Sequence, residues 1–542
     1  MPAPVQLKTT PPRTPIPISF IHPSIHLPPR TRLVHHLMLI QRAASRLSEL
    51  LRSPHAAVYT HTTRAFSHRA WTSSRSSAIV LSLPRARPIP TASICRPAFF
   101  CRTISNLASS ATKMGSLPES HAIRVFVAGG SYAGVASAVN LLDLSQGLTP
   151  RQNEETYEFH SDLKTFDIEV TMVDERDGYY HLIGTPLALA DSEYAKKNWV
   201  KYSDCAGLQV PNLKILQGSV TSVDPEAKTA VVTDALTKET STHKYDYFVA
   251  ASGLRRVWPV VPQSTTRKQY LLEAEKQIQN LNNAKHGVVI VGGGAVGIEM
   301  AAELKMVKPH LQVTLVHSRD KLLSNENLPD ETRDVALKVL KEGGVEALMS
   351  HRLASTKQAE TTDGSVKHEV EFTNGHKIFA SEVVMAVSKS TRTTNYLPES
   401  SVDEEGYVKI KTNLNFEEIP NSDYHFAVGD LIKWAGIKRC GAAMHQGHLA
   451  AENIHQHITQ QRTGKAPEFR TINPIPPMIG LAVGKQAVAH NPGSGTTYGE
   501  DVAEAYFRGD LGWTICWNWL GLAGRFVKAE YPKKAEAPKS EL

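Results

Sequence analysis

The sequence contains few cysteines, and no two of them are close neighbours along the chain. Its 542 residues include five, Cys95, Cys101, Cys205, Cys440 and Cys516. Without a Cys-x-x-Cys pair, a disulfide framework, a zinc ribbon and a redox-active dithiol are not expected. The chain also lacks a run of about 18 uncharged apolar residues, so a transmembrane helix is not expected and any membrane contact would be peripheral.

Acidic residues are almost absent from the first 113 positions. This leader carries 15 of the 60 lysines and arginines and a single acid, Glu49. It is rich in serine and proline, and apolar residues recur at helical spacing in 33–51, a pattern typical of mitochondrial targeting segments. Two alternatives stay open, a poorly ordered extension and a translation start at Met114. The protein would be mitochondrial if the leader is used, and otherwise cytoplasmic or peripheral to a membrane.

The rest of the chain shows no excess of basic residues. Positions 114–542 hold 45 basic and 52 acidic side chains. We therefore expect no binding of nucleic acid by the folded part. Its length is sufficient for two or three domains with complete cores.

A first glycine-rich turn lies between an apolar strand and an alanine-rich helix. The turn comprises Gly129, Gly130, Ser131, Tyr132, Ala133 and Gly134. The helix that follows such a turn presents free N–H groups to a pyrophosphate. Asp174 ends the next apolar strand, where a carboxylate can accept the ribose hydroxyls, and a polar insertion at 146–165 explains its distance from the turn. The pattern predicts a dinucleotide site, and FAD is the favoured ligand.

A second turn satisfies the full glycine pattern with Gly292, Gly294 and Gly297. The residues after the next strand are His317, Ser318 and Arg319, where an NAD-selective site would carry an acid. Arg319 could face a 2′-phosphate, so NADPH should be accepted and could be preferred; a solvated surface arginine is the alternative.

Glu299 follows the second turn. It is placed by sequence on the first turn of the helix, either facing the nicotinamide or stabilising the helix dipole. Two nucleotide sites in one chain predict electron transfer between a flavin and NAD(P)H.

Further segments carry a resemblance to a known family. Ala250–Gly253 is similar to an Ala-Thr-Gly turn, and Phe426–Asp430 to a late strand that ends in Gly-Asp. The matching stretches also include 174–181, 194–197, 291–303 and 313–318. The chain from about 123 to 458 resembles the apoptosis-inducing-factor-like flavoproteins, specifically their mitochondrion-associated, ferroptosis-suppressor branch, and more distantly the type II NADH dehydrogenases.

This resemblance implies an α/β fold with two Rossmann-like dinucleotide-binding domains. A glutathione-reductase-type FAD domain would be formed by 121–262 and 386–465, with an NAD(P) domain inserted at 263–385. A small α+β C-terminal domain would occupy 466–542. The resemblance further implies non-covalent FAD, reduction by NAD(P)H and delivery of electrons to a quinone.

The same resemblance assigns roles to individual residues. Residues 130–134 would cradle the FAD pyrophosphate, Val220 would contact the adenine side through its backbone, and Asp430 would bind the ribityl chain. His181 and Gly253 are predicted to contact cofactor as well. Lys438 would lie near the flavin and, with Glu299, take part in catalysis.

Several alternatives remain open. The protein could be a redox-sensing flavoprotein that signals through partner binding, or a reductase with a protein or another small-molecule acceptor. A set of helically spaced histidines could mimic a metal site, although a partly exposed helix face is favoured: His445, His448, His455 and His457. Trp513, Trp517 and Leu520 form a stripe that could touch a membrane or pack into a core.

Overall fold

The computed structural model describes residues 121–151, 157–387, 390–434 and 436–524. The predictions for the leader at 1–113, for the middle of the polar insertion and for the chain after 524 lie outside these ranges. The described residues form 21 strands and nine α-helices.

The strands are numbered in chain order: β1 (Ile123–Ala128), β2 (Ile168–Asp174), β3 (Gly178–Tyr180), β4 (Trp199–Lys201), β5 (Leu213–Asp224), β6 (Thr229–Asp234), β7 (Thr240–Lys244), β8 (Tyr247–Ala250), β9 (Leu254–Arg256), β10 (Val288–Val291), β11 (Val313–Val316), β12 (Glu346–Leu348), β13 (Leu353–Gln358), β14 (His368–Phe372), β15 (Lys377–Ala380), β16 (Glu382–Met385), β17 (Ser390–Arg392), β18 (His425–Ala427), β19 (Ile479–Val483), β20 (Gln486–Asn491) and β21 (Gly495–Gly499). The helices are α1 (Tyr132–Ser145), α2 (Thr185–Ala188), α3 (Ser192–Asn198), α4 (Arg267–Asn282), α5 (Ala295–Val307), α6 (Asp330–Glu342), α7 (Cys440–Thr463), α8 (Glu500–Tyr506) and α9 (Trp513–Trp519).

The first dinucleotide turn follows the carboxyl end of β1, a central strand of a seven-stranded sheet with the order β18-β8-β1-β2-β5-β6-β7. The strands from β18 to β5 run parallel, and β5, β6 and β7 continue as an antiparallel meander. Five of the six residues of β1 are buried, because a parallel strand covered on both faces needs a continuous apolar run. The sheet therefore presents the carboxyl ends of β1, β2, β8 and β18 at one edge.

Helix α1 packs directly against the long helix α7. A Cβ atom on Gly447 would overlap the carbonyl oxygen of Ala133, so a glycine is required at this crossing. Because α1 begins at the first glycine turn and α7 follows Asp430, the crossing fixes the two segments relative to one another.

The second turn lies at the edge of a four-stranded parallel sheet with the order β12-β11-β10-β16. All four residues of β10 are buried. A separate antiparallel sheet, β13-β14-β15, covers it: Val370 and Phe372 of β14 share a core with Val289 and Val291. The predicted fold class, two dinucleotide-binding α/β units of glutathione-reductase type, is confirmed by this arrangement.

The C-terminal segment forms the antiparallel sheet β19-β20-β21 and the helices α8 and α9. Leu481 and Val488 belong to the core beneath the second sheet, whereas Cys516 and Leu520 belong to the core of the first. The segment therefore bridges both cores with its apolar residues.

The insertion after α1 is less polar in its packing than its composition suggested. Tyr157, Leu163 and Phe166 are buried, and the Tyr157 hydroxyl lies 2.7 Å from Nδ1 of His455 on α7. The described part of the insertion thus covers one flank of that helix.

Candidate functional site

The first turn, residues 129–134, is closed by backbone contacts that exclude larger side chains. The Gly129 N–H donates to the Val173 carbonyl at 2.8 Å, and φ at Gly129 is +118°. A Cβ atom on Gly134 would overlap the Gly129 carbonyl oxygen. Ser131 precedes α1 without capping it through its side chain, so the first N–H groups of the helix stay available to an anion.

Asp174 is held against this turn. Its Oδ2 accepts from the Gly130 N–H at 2.7 Å, and its Oδ1 accepts from the Arg176 N–H at 2.8 Å. Burial raises the pKa of Asp174, while Arg176 and these two N–H donors oppose the rise. The Tyr202 hydroxyl donates to the Gly130 carbonyl at 2.8 Å. The carboxylate is therefore fixed at the end of β2, where the sequence placed it.

His181 supports the start of α1. Its Nδ1 lies 3.1 Å from the Tyr132 hydroxyl and its Nε2 lies 3.0 Å from the Leu511 carbonyl. The ring is fully buried, and this burial lowers its pKa to about 4. The neutral imidazole thus connects the turn to the C-terminal segment.

Two further predicted cofactor residues occupy different strands. Val220 lies at a bulge in β5, is half-buried and pairs with Val232. Gly253 follows β8 with φ of +70° and has open space where a side chain would be. Its neighbour Ser252, which replaces the expected threonine, contacts the Tyr396 hydroxyl at 2.9 Å.

Asp430 follows β18 and borders an open cleft at the start of α7. Its Oδ2 accepts from Arg256 at 2.9 Å, and both side chains are largely shielded from solvent. Lys438 lines the same cleft and donates to the Ile432 carbonyl at 2.7 Å. Burial lowers the pKa of Lys438, so this cation is held by backbone and by the Tyr407 ring, 4.9 Å away.

Two buried donors at the cleft have no protein partner among the described residues. They are Nε1 of Trp434 and Nε of Arg439. Helix α7 starts here without a side-chain cap, and Gly441 in its first turn has open space at the Cβ position. Unsatisfied buried donors at an open cleft fit a ligand rich in oxygen and nitrogen acceptors, as FAD is. Arg256 and Trp434 were not predicted, because neither belongs to a recognisable motif.

The second turn has the same backbone geometry as the first. The Gly292 N–H donates to the Val316 carbonyl at 2.9 Å, and a Cβ on Gly297 would overlap the Gly292 carbonyl oxygen. Gly294 precedes α5 with no side-chain cap and with open space at its Cβ position. A dinucleotide pyrophosphate therefore fits this turn as well.

His317 occupies the place that Asp174 has in the first unit. Its Nδ1 accepts from the Gly293 N–H at 3.1 Å, and its Nε2 lies 3.0 Å from the Ser324 hydroxyl. Burial, together with the charge of Arg319, lowers its pKa. Ser318 and Arg319 are exposed, and Arg319 donates to the Ser324 carbonyl at 3.2 Å. A neutral ring and a cation replace the acid at this edge.

Glu299 lies in the second turn of α5, not in the first as predicted, because the helix begins at Ala295. It accepts from the Ala482 N–H of β19 at 3.3 Å. Burial raises its pKa to about 8. The interpretation as a dipole-stabilising first-turn acid is therefore wrong, and the side chain is instead a half-buried carboxyl group whose pKa is raised.

The helical histidines do not form a partly exposed face, which corrects the favoured interpretation. His448, His455 and His457 are buried, and only His445 is exposed. His448 pairs with Glu452 at 3.2 Å, and His457 lies 3.1 Å from the Tyr247 hydroxyl. Within the described ranges no group of three or more potential ligands is placed to hold a metal.

The tryptophan stripe divides between core and half-buried positions. Leu520 is buried, while Trp513 and Trp517 are half-buried and stack with ring centroids 4.7 Å apart. Lys197 lies 4.4 Å from the Trp513 ring centre. Among the described helices, none has the length and apolar character needed to cross a bilayer.

The chain is similar to several known proteins. Residues 123–447 match a family model described as pyridine nucleotide-disulphide oxidoreductase. Oxidoreductase OXR1 of Ajellomyces capsulatus is 46% identical over 452 residues, covering 82% of this chain and 95% of its own. Ferroptosis suppressor protein 1 of Homo sapiens is 24% identical over 345 residues, covering 63% and 83%.

More distant similarity extends to further proteins. Apoptosis-inducing factor homolog B of Dictyostelium discoideum is 24% identical over 338 residues, covering 58% of this chain and 82% of its own. A solved structure of a NAD-dependent persulfide reductase from A. fulgidus superposes with a TM-score of 0.51 at 19% identity. That match covers 71% of this chain and only 65% of the other, and it shows a shared fold.

Fold, glycine turns and similarities define an NAD(P)H-dependent flavin oxidoreductase. The chain belongs to the pyridine nucleotide-disulphide oxidoreductase family, and its cofactors are FAD and NAD(P)H. The predicted cofactors are thereby confirmed.

Proposed function

We propose that this protein transfers electrons from NAD(P)H through FAD to a quinone, as a member of the ferroptosis-suppressor branch of apoptosis-inducing-factor-like flavoproteins. One observation carries the proposal: the groups expected around the flavin converge on the start of α7. Gly429, next to Asp430, lies against Ala133 of the first turn and Ala443 of α7, and its N–H donates to Gln446 of α7 at 2.7 Å. We infer that the two nucleotide sites open onto one place beside this contact.

In this arrangement the first turn and its neighbours hold FAD. Residues 129–134 bind the pyrophosphate with the free N–H groups of α1. Asp174 accepts the ribose hydroxyls, and Val220 and Gly253 border the adenosine and the flavin through their backbones. Asp430, oriented by Arg256, binds the ribityl chain.

The second turn holds NAD(P)H. Gly292, Gly294 and Gly297 receive its pyrophosphate, and His317 with Ser318 and Arg319 faces the 2′ position of the adenosine ribose. A guanidinium can pair with a 2′-phosphate, and the side chain that accepts from the Gly293 N–H of the second turn is the His317 imidazole rather than a carboxylate. We therefore expect NADPH to bind at least as well as NADH.

Two side chains take part in catalysis in this proposal. Glu299 borders the nicotinamide, where a carboxyl group with a raised pKa places less negative charge beside the leaving hydride. Lys438 lies on the far side, near the flavin. Bound FAD would supply the redox chemistry, a two-electron transfer from NAD(P)H to the acceptor. The chain contributes alignment and local charge.

The proposed acceptor is a quinone. A planar two-electron acceptor suits a cleft that mixes apolar side chains, Trp434, Ile437 and Ile475, with the cation of Lys438. The distant similarity to ferroptosis suppressor protein 1 supports the same choice. A peripheral membrane contact through Trp513 and Trp517 is part of this proposal. So is the division into three domains: an FAD domain (121–262 and 386–465), an NAD(P) domain (263–385) and a C-terminal domain (466–542).

The decisive experiment is a spectral and kinetic assay of the full-length chain. We expect a yellow protein with bound FAD whose flavin band bleaches on addition of NADPH. It should oxidise NADPH steadily only when a quinone is added. A bleached flavin with a lasting charge-transfer band and negligible turnover across a panel of quinones would contradict the proposal and favour a redox-sensing role.

A charge reversal tests the nucleotide assignment. Arg319→Glu should raise KM for NADPH about 10-fold, which corresponds to about 1.4 kcal/mol, and leave KM for NADH nearly unchanged. Lys276→Glu, at an exposed position on α4, is the matched control for a change of net charge. Equal effects of Arg319→Glu on both nucleotides would argue against contact with a 2′-phosphate.

A further inference from the structure

Two arginines lie on the same face of the two-stranded ribbon formed by β9 and β17. Ser390 pairs with Arg256, and Arg392 pairs with Leu254, in antiparallel register. Paired residues of such a ribbon share a face, as do alternate residues along one strand. Arg256 and Arg392 are therefore diagonal neighbours, and their positive charges repel each other unless an anion lies close to both.

The two arginines have different partners. Nη2 of Arg256 lies 2.9 Å from Oδ2 of Asp430. Arg392 forms no ion pair with a described residue, and its buried Nε has no hydrogen-bond partner among them. Its guanidinium lies over the Tyr407 ring, 4.2 Å from the ring centre, and Nζ of Lys438 lies 4.9 Å from the same centre. The ring attracts both cations through its π electrons but does not neutralise their charge.

The same charges border the cleft at the start of α7. Asp430, Lys438 and Arg439 line the cleft, and the buried Nε of Arg439 also lacks a hydrogen-bond partner within the described ranges. Arg256 contacts the first of these residues, and Arg392 shares Tyr407 with the second. Burial lowers the pKa of Lys438; Asp430 opposes this shift, and the two arginines of the ribbon add to it. One carboxylate thus faces four cations, and a cleft with such a surplus attracts anions.

Other acids near Tyr407 do not cancel this surplus. Oδ1 of Asp403 accepts from the Tyr407 N–H at 2.9 Å, and its Oδ2 lies 2.9 Å from Nζ of Lys433. Asp403 is therefore already paired with a cation of its own. Glu404 and Glu405, in the same turn, are exposed, so water and salt screen their charges.

We propose that the cleft takes an anionic quinone, one that carries a carboxylate or a similar acid group close to its ring, and that Arg392 recognises this group. A guanidinium binds such a group through two parallel N–H donors, and the planar ring would lie against Trp434, Ile437 and Ile475, which line the cleft. The acid group does not react. NAD(P)H supplies two electrons and one proton, the solvent supplies a second proton, and the quinone becomes a hydroquinone. This proposal rests on the proposed reduction of a quinone and specifies which quinones are preferred.

Two acceptors that differ in charge at one end test this preference with the full-length holoprotein. They are a dimethoxy-methyl-benzoquinone with a short alkyl chain that ends in a carboxylate, and the same compound with a terminal primary alcohol. We expect kcat/KM to be about 10-fold higher for the carboxylate compound at low ionic strength, and this advantage to shrink as salt is added. Arg392→Gln should remove the advantage, whereas Arg392→Lys, which keeps the charge, should retain part of it.

Controls exclude a general loss of charge or of folding. Arg352→Gln changes an exposed arginine just before β13 and should leave the ratio of the two kcat/KM values unchanged. The FAD content of each variant shows whether it is folded. If Arg392→Gln lowers kcat/KM for both acceptors equally, Arg392 supports the fold or the flavin, and the proposal is wrong.

A binding titration separates this proposal from the proposed function itself. The oxidised holoprotein is titrated with each quinone in the absence of NADPH, and the change in flavin absorbance gives the Kd. Tighter binding of the carboxylate compound that is lost in Arg392→Gln supports the proposal even if neither compound is turned over. Equal Kd values for the two compounds in wild type would overturn the proposal and would not bear on quinone reduction.

Discussion

The two glycine turns have the same backbone geometry but different partners. In both, a strand end accepts the first glycine N–H, and a helix begins without a side-chain cap. The second residue of the first turn, Gly130, donates to the carboxylate of Asp174 at 2.7 Å, whereas the second residue of the other, Gly293, donates to the imidazole of His317 at 3.1 Å. The same backbone hydrogen bond is thus made to an anion in one unit and to a neutral ring in the other.

This difference indicates that the turn can form with either side chain, whereas the charge of that side chain affects which ligand binds. The N–H group needs only an acceptor, and either side chain supplies one. The charge of that acceptor then acts on whatever lies beyond it, since a carboxylate accepts hydroxyl groups but repels a phosphate. Substitutions in one unit, with the other unit as the reference, separate these two properties.

The largest effect should come from filling the close contact inside each turn. Gly134→Val and Gly297→Val introduce the same overlap with a carbonyl oxygen, and each should cost about 3 kcal/mol or more, because the helix must move away from its strand. We expect Gly134→Val to yield protein without FAD. Gly297→Val should stay yellow and fail to bleach with NADPH. Absorbance spectra of the two purified variants distinguish these outcomes, and loss of FAD from both would show that the two units do not act separately.

The helices that start at the turns differ in how they bury an acid. Asp143 on α1 pairs with Arg151 at 3.0 Å, whereas Glu303 on α5 is 2% exposed and its Oε1 has no protein partner among the described residues. Burial raises the pKa of Glu303 from 4.5 to about 8. Below pH 4.5 both states hold the proton, and as the pH rises towards 8 only the folded state keeps it, so stability falls across that window.

Glu303→Gln should remove this pH dependence. We expect the variant to gain on the order of 2 kcal/mol relative to wild type as the pH rises from about 5 to 8. Thermal unfolding over that range measures the effect. Asp143→Asn is the contrasting variant: it deprives Arg151 of its carboxylate and should destabilise the protein already at neutral pH. If the stabilities of Glu303→Gln and wild type changed in parallel with pH, Glu303 would be ionised at neutral pH.

Replacement of the side chain that accepts the hydrogen bond from the second turn tests the comparison of the two turns directly. His317→Asp places the carboxylate of the first unit in the second, where it can still accept from Gly293. It should shift the ratio of kcat/KM for NADH over NADPH by about 10-fold towards NADH, or about 1.4 kcal/mol. Steady-state rates with both nucleotides give this ratio. The matched variant His317→Asn has no charge, and a similar shift with it would assign the effect to shape.

The motifs themselves could be predicted from sequence, because they depend on local chain geometry. Glycines in fixed positions after an apolar strand indicated both turns, and Asp174 and His317 were found at the ends of the next strands. Contacts between distant segments could not be predicted. Arg256 beside Asp430 and Ala482 beside Glu299 depend on how the sheets are assembled.

Burial was equally hard to predict for α7. Its histidines occur at helical spacing, which is compatible with an exposed face or with a metal site. The structure buries His455 because the insertion after α1 supplies Tyr157 as its hydrogen-bond partner. Spacing along one helix carries no information about such a partner 298 positions away.

The smallest effect is expected at the first residue of each helix. Tyr132 begins α1 and its hydroxyl contacts His181 at 3.1 Å and accepts from the Ile183 N–H at 3.3 Å, whereas α5 begins with Ala295, which can make no such contact. Tyr132→Phe should lower the free energy of unfolding by about 1 kcal/mol. The loss stays small because His181 keeps the Tyr179 hydroxyl, 3.4 Å from the same nitrogen. Urea unfolding of the holoprotein measures it, with Tyr498→Phe as the control for an exposed hydroxyl that accepts from Lys338. If both variants unfold like wild type, the Tyr132 hydroxyl does not stabilise the start of α1. The difference between the two turns is then confined to Asp174 and His317.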